Sequence, residues 1–361
     1  MKLLFLGDFF FDYDTIPNDF LLLCNFIKRN NYYVILNLET TFGNKGNPIN
    51  KRGVHLRSSD KLIEALKQLN VIVVCLANNH SMDFGQEALE ELIIKLKKEN
   101  ILFLGAGVNL KEAYQYLHIP NISVILQNFA WNVEEAVYAT KYNAGVSPLD
   151  RKFIIEQTKF LKKQNPKLTI INVYHWGFEY NLLPMPLDIQ FAHDSIDAGA
   201  DLIIGHHPHV IQPQERYNDK NIFYSLGNFY FGSRRSKYQK KFKQNIIQNM
   251  CDFGLGVIFD TKNRQVETIM VEYECLTKQS SFKSVNADIL TDISNINWEE
   301  KDYIKQVQNK KENFNPILTT NTIYNAILLH LLNIKYFIAK KLKFIKKTSI
   351  GKALFEWGKR Q

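Results

Sequence analysis

The run DLIIGHHPHVIQP, residues 201–213, decides how the rest of the chain is read. Its first half is a short apolar stretch of the kind that forms a buried strand. Its second half places three of the chain's nine histidines, His206, His207 and His209, within four positions. Neutral imidazole is the commonest metal ligand near neutral pH, so a strand that ends in such a cluster points to a metal site. The plainer alternative is a polar loop after a strand, and partners elsewhere in the chain decide between the two.

Those partners recur in one kind of place. Apolar, β-rich runs alternate with helical patterns: KLLFLGD (2–8), YVILNLE (33–39), VIVVCLA (71–77), ILFLGAG (101–107), ISVILQNFA (122–130), LTIINVYHW (168–176) and DLIIGHH (201–207) read as strands. FGQEALEELIIKLKKEN (84–100) carries acids early and lysines late, as the helix dipole prefers. NLKEAYQYL (109–117), DRKFIIEQTKFLKKQ (150–164) and LDIQFAHDSIDAGA (187–200) read as further helices. GLGVIFD and VETIMVEYE, joined by the turn TKNR, read as a hairpin. Asp8, Glu39, Asn78-Asn79-His80, His175, His206 to His209 and Asn228 each stand at or just after a strand's carboxyl end. In α/β folds ligands bind in the crevice outside those ends.

The donor types suit zinc, manganese or iron better than calcium. Glu39 is a candidate bridge between two ions, and Asn79 offers a carbonyl oxygen. Two divalent ions roughly 3.5–4 Å apart would activate a water and clamp an oxyanion. His80 is placed to act just outside the ligands as a proton donor to a leaving group, with Asp83 orienting its ring. The competing expectation for Asp83 is a cap on the helix that follows.

Composition narrows the classes. The chain has 361 residues, 45% hydrophobic and 22% charged, as a globular protein does. Cys24, Cys75, Cys251 and Cys275 are far apart and read as buried thiols. The net charge of +9 is concentrated: residues 331–361 hold nine basic residues against Glu356 alone, which leaves the remainder close to neutral. A near-neutral body excludes a general nucleic-acid-binding surface. The expected compartment is the cytoplasm, because MKLLFLGDFF lacks the cleavage site of a secretory signal and no apolar run reaches the length of a membrane span. No feature of the sequence sets the oligomeric state.

The series NLETTFG, LANNHSMDFG, HWGFEY, GHHPHVIQP and YSLGNFYF resembles, in order, the motifs of the CapA family over residues 1 to about 275. That family is associated with poly-γ-glutamate and capsule biosynthesis, and it resembles the calcineurin-like metallophosphoesterases. The fold implied is an α/β metallophosphoesterase-like β-sandwich flanked by helices. The ligands implied are Asp8, Glu39 and His209 for one ion, and Glu39, Asn79, His175 and His207 for the other. Two departures stand out. The phosphoesterase pattern opens Asp-x-His, whereas Phe10 occupies the histidine position here, so the first ion loses an imidazole. Glu39 also stands where phosphoesterases use Asp. Asp12 and Asp14 are nearby substitutes for the lost ligand in sequence, though both read more simply as loop acids.

Arg57, Trp176, Glu179, His206 and Asn228 are the candidate substrate-binding residues: Arg57 as an anion clamp, Trp176 as a stacking platform. The function expected is a metal-dependent hydrolase or transferase in capsule or cell-surface polymer biosynthesis, with the polymer or its precursor as partner. Amide or γ-glutamyl bond chemistry is one alternative. A non-catalytic accessory subunit of a polymer synthase or export complex is another. Three segments are expected: residues 1–276 as the catalytic-type domain, 277–320 as a polar linker with short helices, and 321–361 as a basic amphipathic helical segment. In the last, Ile327, Leu331, Ile334, Ile338, Leu342 and Ile345 share one helical face. Residues 325–361 thus read as a peripheral attachment to an anionic membrane surface, placing the protein at the inner membrane face.

Overall fold

A computed structural model describes residues 1–51, 53–132, 135–232, 253–274 and 279–283. Two sheets lie face to face with helices on both outer faces. The first has eight strands: β1 (Lys2–Phe10), β2 (Tyr32–Leu38), β3 (Val71–Cys75), β4 (Leu102–Leu104), β13 (Asn228–Phe231), β14 (Phe253–Asp260), β15 (Val266–Glu274) and β16 (Gln279–Lys283). The second has six: β6 (Leu117–His118), β7 (Val124–Ala130), β9 (Thr169–His175), β10 (Leu202–His206), β11 (Gln214–Tyr217) and β12 (Lys220–Phe223). A small ladder pairs β5 (Ala106–Gly107) with β8 (Gly145–Val146). The helices are α1 (Asn18–Arg29), α2 (Leu62–Gln68), α3 (Gly85–Lys98), α4 (Leu110–Ala113), α5 (Arg151–Gln164) and α6 (Pro186–Asp197).

β1 shows why the chain stacks in this way. Its side chains alternate between two apolar environments. Leu3 and Phe5 point into the layer between the sheets with Val73, Leu126, Ile171 and Ile204. Leu4 and Leu6 point outward to a second layer shared with Phe20, Leu66, Leu89 and Leu92 of the helices. A strand covered on both faces reads as an unbroken apolar run, as KLLFLG does. A third layer sits between the second sheet and α6, around Tyr174, Trp176, Phe191 and Tyr224.

The expected α/β sandwich is the fold observed. Local differences are informative. α4 spans only Leu110–Ala113, and the remainder of the expected helix over 109–117 turns into β6, which pairs with β7. α1 and α2 were not anticipated in the sequence reading; α2 has only seven residues, too few to display a period. β16 pairs with β15 inside the stretch expected to be linker, so the first sheet continues beyond residue 276. Cys24 and Cys75 are buried and unpaired, as expected. The expected helical segment 321–361 lies outside the described residues, as do Cys251 and Cys275. Among the described residues no helix is long and apolar enough to cross a membrane.

Two substitutions test this packing. A Cβ on Gly205 would stand 1.9 Å from the Tyr224 carbonyl oxygen, so Gly205→Ala forces two strands apart. It is expected to lower stability by about 1–3 kcal/mol, read from the denaturant midpoint. Asp188, at the start of α6, is buried, which pushes its carboxyl from 3.8 up to about 7, and the nearby Arg151 guanidinium only partly opposes this. Its folded pKa exceeds its unfolded one, so its contribution is full below the unfolded value and lost as pH rises through the folded one. Asp188→Asn is therefore expected to gain thermal stability over the wild type as pH rises from about 4 to about 8, measured by melting temperature against pH.

Candidate metal centre

The carboxyl ends of strands from both sheets meet at one edge of the sandwich. β1 and β2 are parallel, and a register shift between Leu6 and Asp8 turns Asp8 inward at the end of its strand. Glu39 follows β2 directly, with its N–H bonded to the Phe9 carbonyl at 2.9 Å. The loop after β3 carries Asn78, Asn79 and His80. β9 and β10 are parallel with His175 opposite His206, so both rings leave the same face of the second sheet. His207 and His209 then occupy backbone φ values of 97° and 57°, a region uncommon for any residue but glycine, though Asn, Asp and His enter it more often than others. Such strain at a turn marks a conformation imposed by the surrounding structure.

Two donor sets result. Glu39, His175 and His207 offer ligand atoms within 4.8 Å of one another, and so do Asp8, Glu39 and His209. Asn79 joins the first set: its carbonyl oxygen lies 2.9 Å from His175 Nε2. Glu39 belongs to both, at 3.8 Å from His175 Nε2 and 3.8 Å from His209 Nε2. All of these side chains are buried. Yet neither oxygen of Glu39 and neither ring nitrogen of His207 has a hydrogen-bond partner among the described residues. Buried polar atoms left without partners are rare because each costs about 1–3 kcal/mol. A carboxylate and an imidazole left without partners at one cleft fit the coordination of divalent cations by mixed oxygen and nitrogen donors, one nitrogen of the ring serving as ligand.

Electrostatics divide the donors into two kinds. Burial pushes Glu39 well above the usual carboxylate range, with Asp8 and Glu179 adding to the rise. Burial would raise Asp8 too, but hydrogen bonds with His206 and His209 hold it well below. Burial drives His175 down and brings His207 to about 3. Burial also opposes a charged His209, but Glu39 and Asp8 outweigh it and keep this ring well above its ordinary value. His175 and His207 are thus neutral, as ligation requires, whereas Glu39 and His209 hold protons that a bound cation would displace.

The residues behind the ligands hold them in place. Asn37 donates to Asp8 Oδ1 at 2.8 Å, and Asn78 donates to the Asn37 oxygen at 3.2 Å and to the Leu38 carbonyl at 2.9 Å. His80 Nδ1 lies 2.7 Å from Asp83 Oδ2, which also accepts from the Leu56 N–H at 2.7 Å. α3 begins after Phe84 with no side-chain cap, so Asp83 orients His80 and does not cap the helix. Lys51 pairs with Asp83 and donates to the Asn79 carbonyl at 3.1 Å. Sequence reading missed Lys51 and Asn37. Asn37 was visible beside Glu39 in NLE, whereas Lys51 sits in a loop with no pattern to single it out.

The candidate substrate residues divide. Glu179 stands at the mouth, with Oε1 4.0 Å from His209 Nε2 and its side chain 31% exposed. Asn228 Oδ1 lies 2.9 Å from His209 Nδ1, so it orients a ligand. His206 is buried with Nδ1 3.3 Å from Asp8 Oδ1, and is also a companion of a ligand. Trp176 is a correction: it is 1% exposed, donates from Nε1 to the Tyr224 carbonyl at 2.8 Å and packs on Tyr174, so it cannot stack on a substrate. Arg57 is another: its guanidinium donates to the carbonyls of Lys45 and Gly46 and lies 3.8 Å over the Phe84 ring, bracing a loop instead of clamping an anion. Phe10 is buried against Phe231, which confirms that no imidazole stands at that position.

Comparison with known proteins agrees with the motif series. Residues 7–233 match the family described as "Bacterial capsule synthesis protein PGA_cap". The chain is 35% identical over 181 residues to "PGA biosynthesis protein CapA" of Bacillus subtilis (strain 168), which covers 49% of this chain and 47% of that one. It is 35% identical over 185 residues to "Capsule biosynthesis protein CapA" of Bacillus anthracis, covering 50% of this chain and 45% of that one. The matched part thus spans about half the length of these relatives. Among solved structures, a 5'-nucleotidase from Candida albicans SC5314 is similar with a TM-score of 0.43 and 9% identity, over 76% of this chain and 51% of that one.

Glu39→Ala and His207→Ala each delete a donor from this set. Both variants are expected to stay folded and to lose most bound metal, measured by elemental analysis of the purified protein beside its circular dichroism. Retention of wild-type metal content by both would disprove the ligand assignment.

Proposed function

Because the chain belongs to the bacterial capsule synthesis protein family PGA_cap, we propose that it is a metal-dependent hydrolase or transferase acting on a capsule or cell-surface polymer or its precursor. The observation that carries this reading is Glu39, a fully buried carboxylate with no hydrogen-bond partner among the described residues, set between donor groups from both sheets. One or two divalent ions, of manganese, zinc or iron, held by Asp8, Glu39, Asn79, His175, His207 and His209, would supply Lewis acidity toward an ester or amide group. The chain's own residues do the rest.

His80 is the proton-transfer group. Burial lowers its imidazole to about 4, with Asp83 opposing, so the ring is neutral near pH 7. Asp83 accepts at 2.7 Å from Nδ1, which assigns the proton to that nitrogen and leaves Nε2 as an acceptor, 3.9 Å from Glu39 Oε1. The resting ring therefore takes a proton first at Nε2. Asp83 stabilises the imidazolium that results, and the ring then returns the proton to a leaving group. Lys51, paired with Asp83, holds that carboxylate in place. Glu179, at the open side, is positioned to meet whatever enters.

The same donors would serve a phosphoester or a γ-glutamyl amide, so both belong in the first screen: purified protein with added manganese or zinc against panels of each. Absence of turnover on every member, with metal bound, would favour the accessory-subunit reading. His80→Asn is expected to keep its metal and lose on the order of 10²–10⁴ in rate, the usual share of a general acid–base group. Loss of the metal, or full activity with a poor leaving group, would remove His80 from this role.

Location follows from the basic segment. We propose that residues 325–361 hold the protein at the inner face of an anionic membrane. Each lysine near such a surface contributes about 1 kcal/mol, and the attraction is screened by salt. The full chain is expected to sediment with anionic vesicles at low salt and to be released at high salt. Equal sedimentation at both salts, or none at either, would assign the segment to another role.

A further inference from the structure

Resting on the metal-centre reading above, we infer that Glu179 completes the donor set of the first ion, in place of the imidazole that Phe10 excludes. The first ion's set is the poorer one. It draws on Asp8, His209 and the shared Glu39, whereas the second has Glu39, Asn79, His175 and His207. Phe10 is 2% exposed and packs 5.7 Å from the Phe231 ring, so the strand that delivers Asp8 delivers no second ligand. The acids that follow do not fill the gap. Asp12 lies close against Gly232, and Asp14 is exposed.

The orientation of His209 identifies the replacement. Its Nδ1 is engaged by Asn228 at 2.9 Å and by Asp8 Oδ2 at 3.2 Å, so Nε2 is the nitrogen that faces the cleft. Around that nitrogen stand two carboxylate oxygens, Glu39 Oε1 at 3.8 Å and Glu179 Oε1 at 4.0 Å. Two atoms bound to one ion stand at most roughly 4 Å apart, twice a ligand bond of about 2.1 Å. Both contacts lie at that limit. Glu179 stands just outside the cluster that Asp8, Glu39 and His209 form, but it is partly exposed, so its side chain can turn in without disturbing the core.

The backbone also commits Glu179 to this place. Tyr180, the next residue, has φ 60°, a left-handed conformation that costs an L-residue roughly 1–2 kcal/mol. Its N–H donates to the Pro208 carbonyl at 2.8 Å, which ties the Glu179 loop to the turn between His207 and His209. Gln212 adds hydrogen bonds to the carbonyls of Asn181 at 2.8 Å and Leu183 at 3.2 Å. A strained residue held at both ends fixes Glu179 beside the ligands. Charge agrees: Asp8, Glu39 and Glu179 together place three carboxylates where a pair of divalent cations would neutralise them.

The test is metal stoichiometry and affinity. The full chain, stripped with a chelator, is titrated with Mn²⁺ and with Zn²⁺ by calorimetry, beside Glu179→Gln. The wild type is expected to take two ions. The variant is expected to bind its weaker ion at least tenfold less tightly, with the tighter ion and the melting temperature of the stripped protein unchanged. Losing an outer partner of a ligand already weakens metal by about 10–100-fold, so losing a ligand does no less. The effect is expected to persist at high salt, where that of a mere rim charge would shrink. If both ions bind the variant as they bind the wild type, or the difference vanishes in salt, this inference fails and the metal-centre reading stands. If the wild type takes one ion, the inference holds only when Glu179→Gln weakens it. If the wild type takes neither metal, both fail together.

Discussion

The architecture depends on one unfavourable placement, the carboxylate of Glu39. It is removed from water, lacks a hydrogen-bond partner among the described residues and sits near another buried acid, Asp8. Such a group is tolerated when something of opposite charge answers it. Five imidazoles, those of His80, His175, His206, His207 and His209, and an amide oxygen are drawn up around the two acids, and a second ring of groups, Asn37, Asn78, Asp83, Asn228 and Lys51, holds them. The β-bulge of β1, the left-handed residues after β10 and the buried Lys51–Asp83 pair all serve that arrangement. Each is locally costly and none improves the core.

The sandwich supplies the rigidity. Parallel strands that end at the same level deliver side chains from both sheets to a single cleft, and apolar layers above and below fix the spacing between sheets. Gly205 shows how closely the tolerances run, since a single methyl there would collide with the neighbouring strand. A site built on strand ends in this way is held within small tolerances, as proton transfer and metal binding both require.

The two halves of the site are not equivalent. One donor set is rich and fully enclosed, while the other is short of an imidazole and opens to solvent past Glu179. This asymmetry follows from Phe10, which stands buried where a second imidazole would otherwise come from the same strand.

The sequence alone placed the strand ends and singled out the candidate ligands, and its motif series implied the sandwich class. Apolar runs and the polar residues that follow them are local properties, legible before any fold is known. It did not determine α2 or β16, which tertiary packing imposes on short segments, while α1, with Phe20, Leu23, Cys24 and Ile27 on one face, carried a helical pattern that went unread. Nor did it settle side-chain direction. Trp176 follows the ligand His175 by one residue and therefore faces the opposite side, into the helix-covered core. Arg57 had the chemistry of an anion clamp, but two backbone carbonyls and the Phe84 ring already hold it. Asp83 could have been a helix cap or a partner of His80, and only the fold, by starting α3 one residue later and bringing the Leu56 N–H and Lys51 to it, decided. Composition and spacing state which groups are present; which of them are already satisfied depends on contacts between residues distant in the chain, and those exist only once the two sheets have closed on each other.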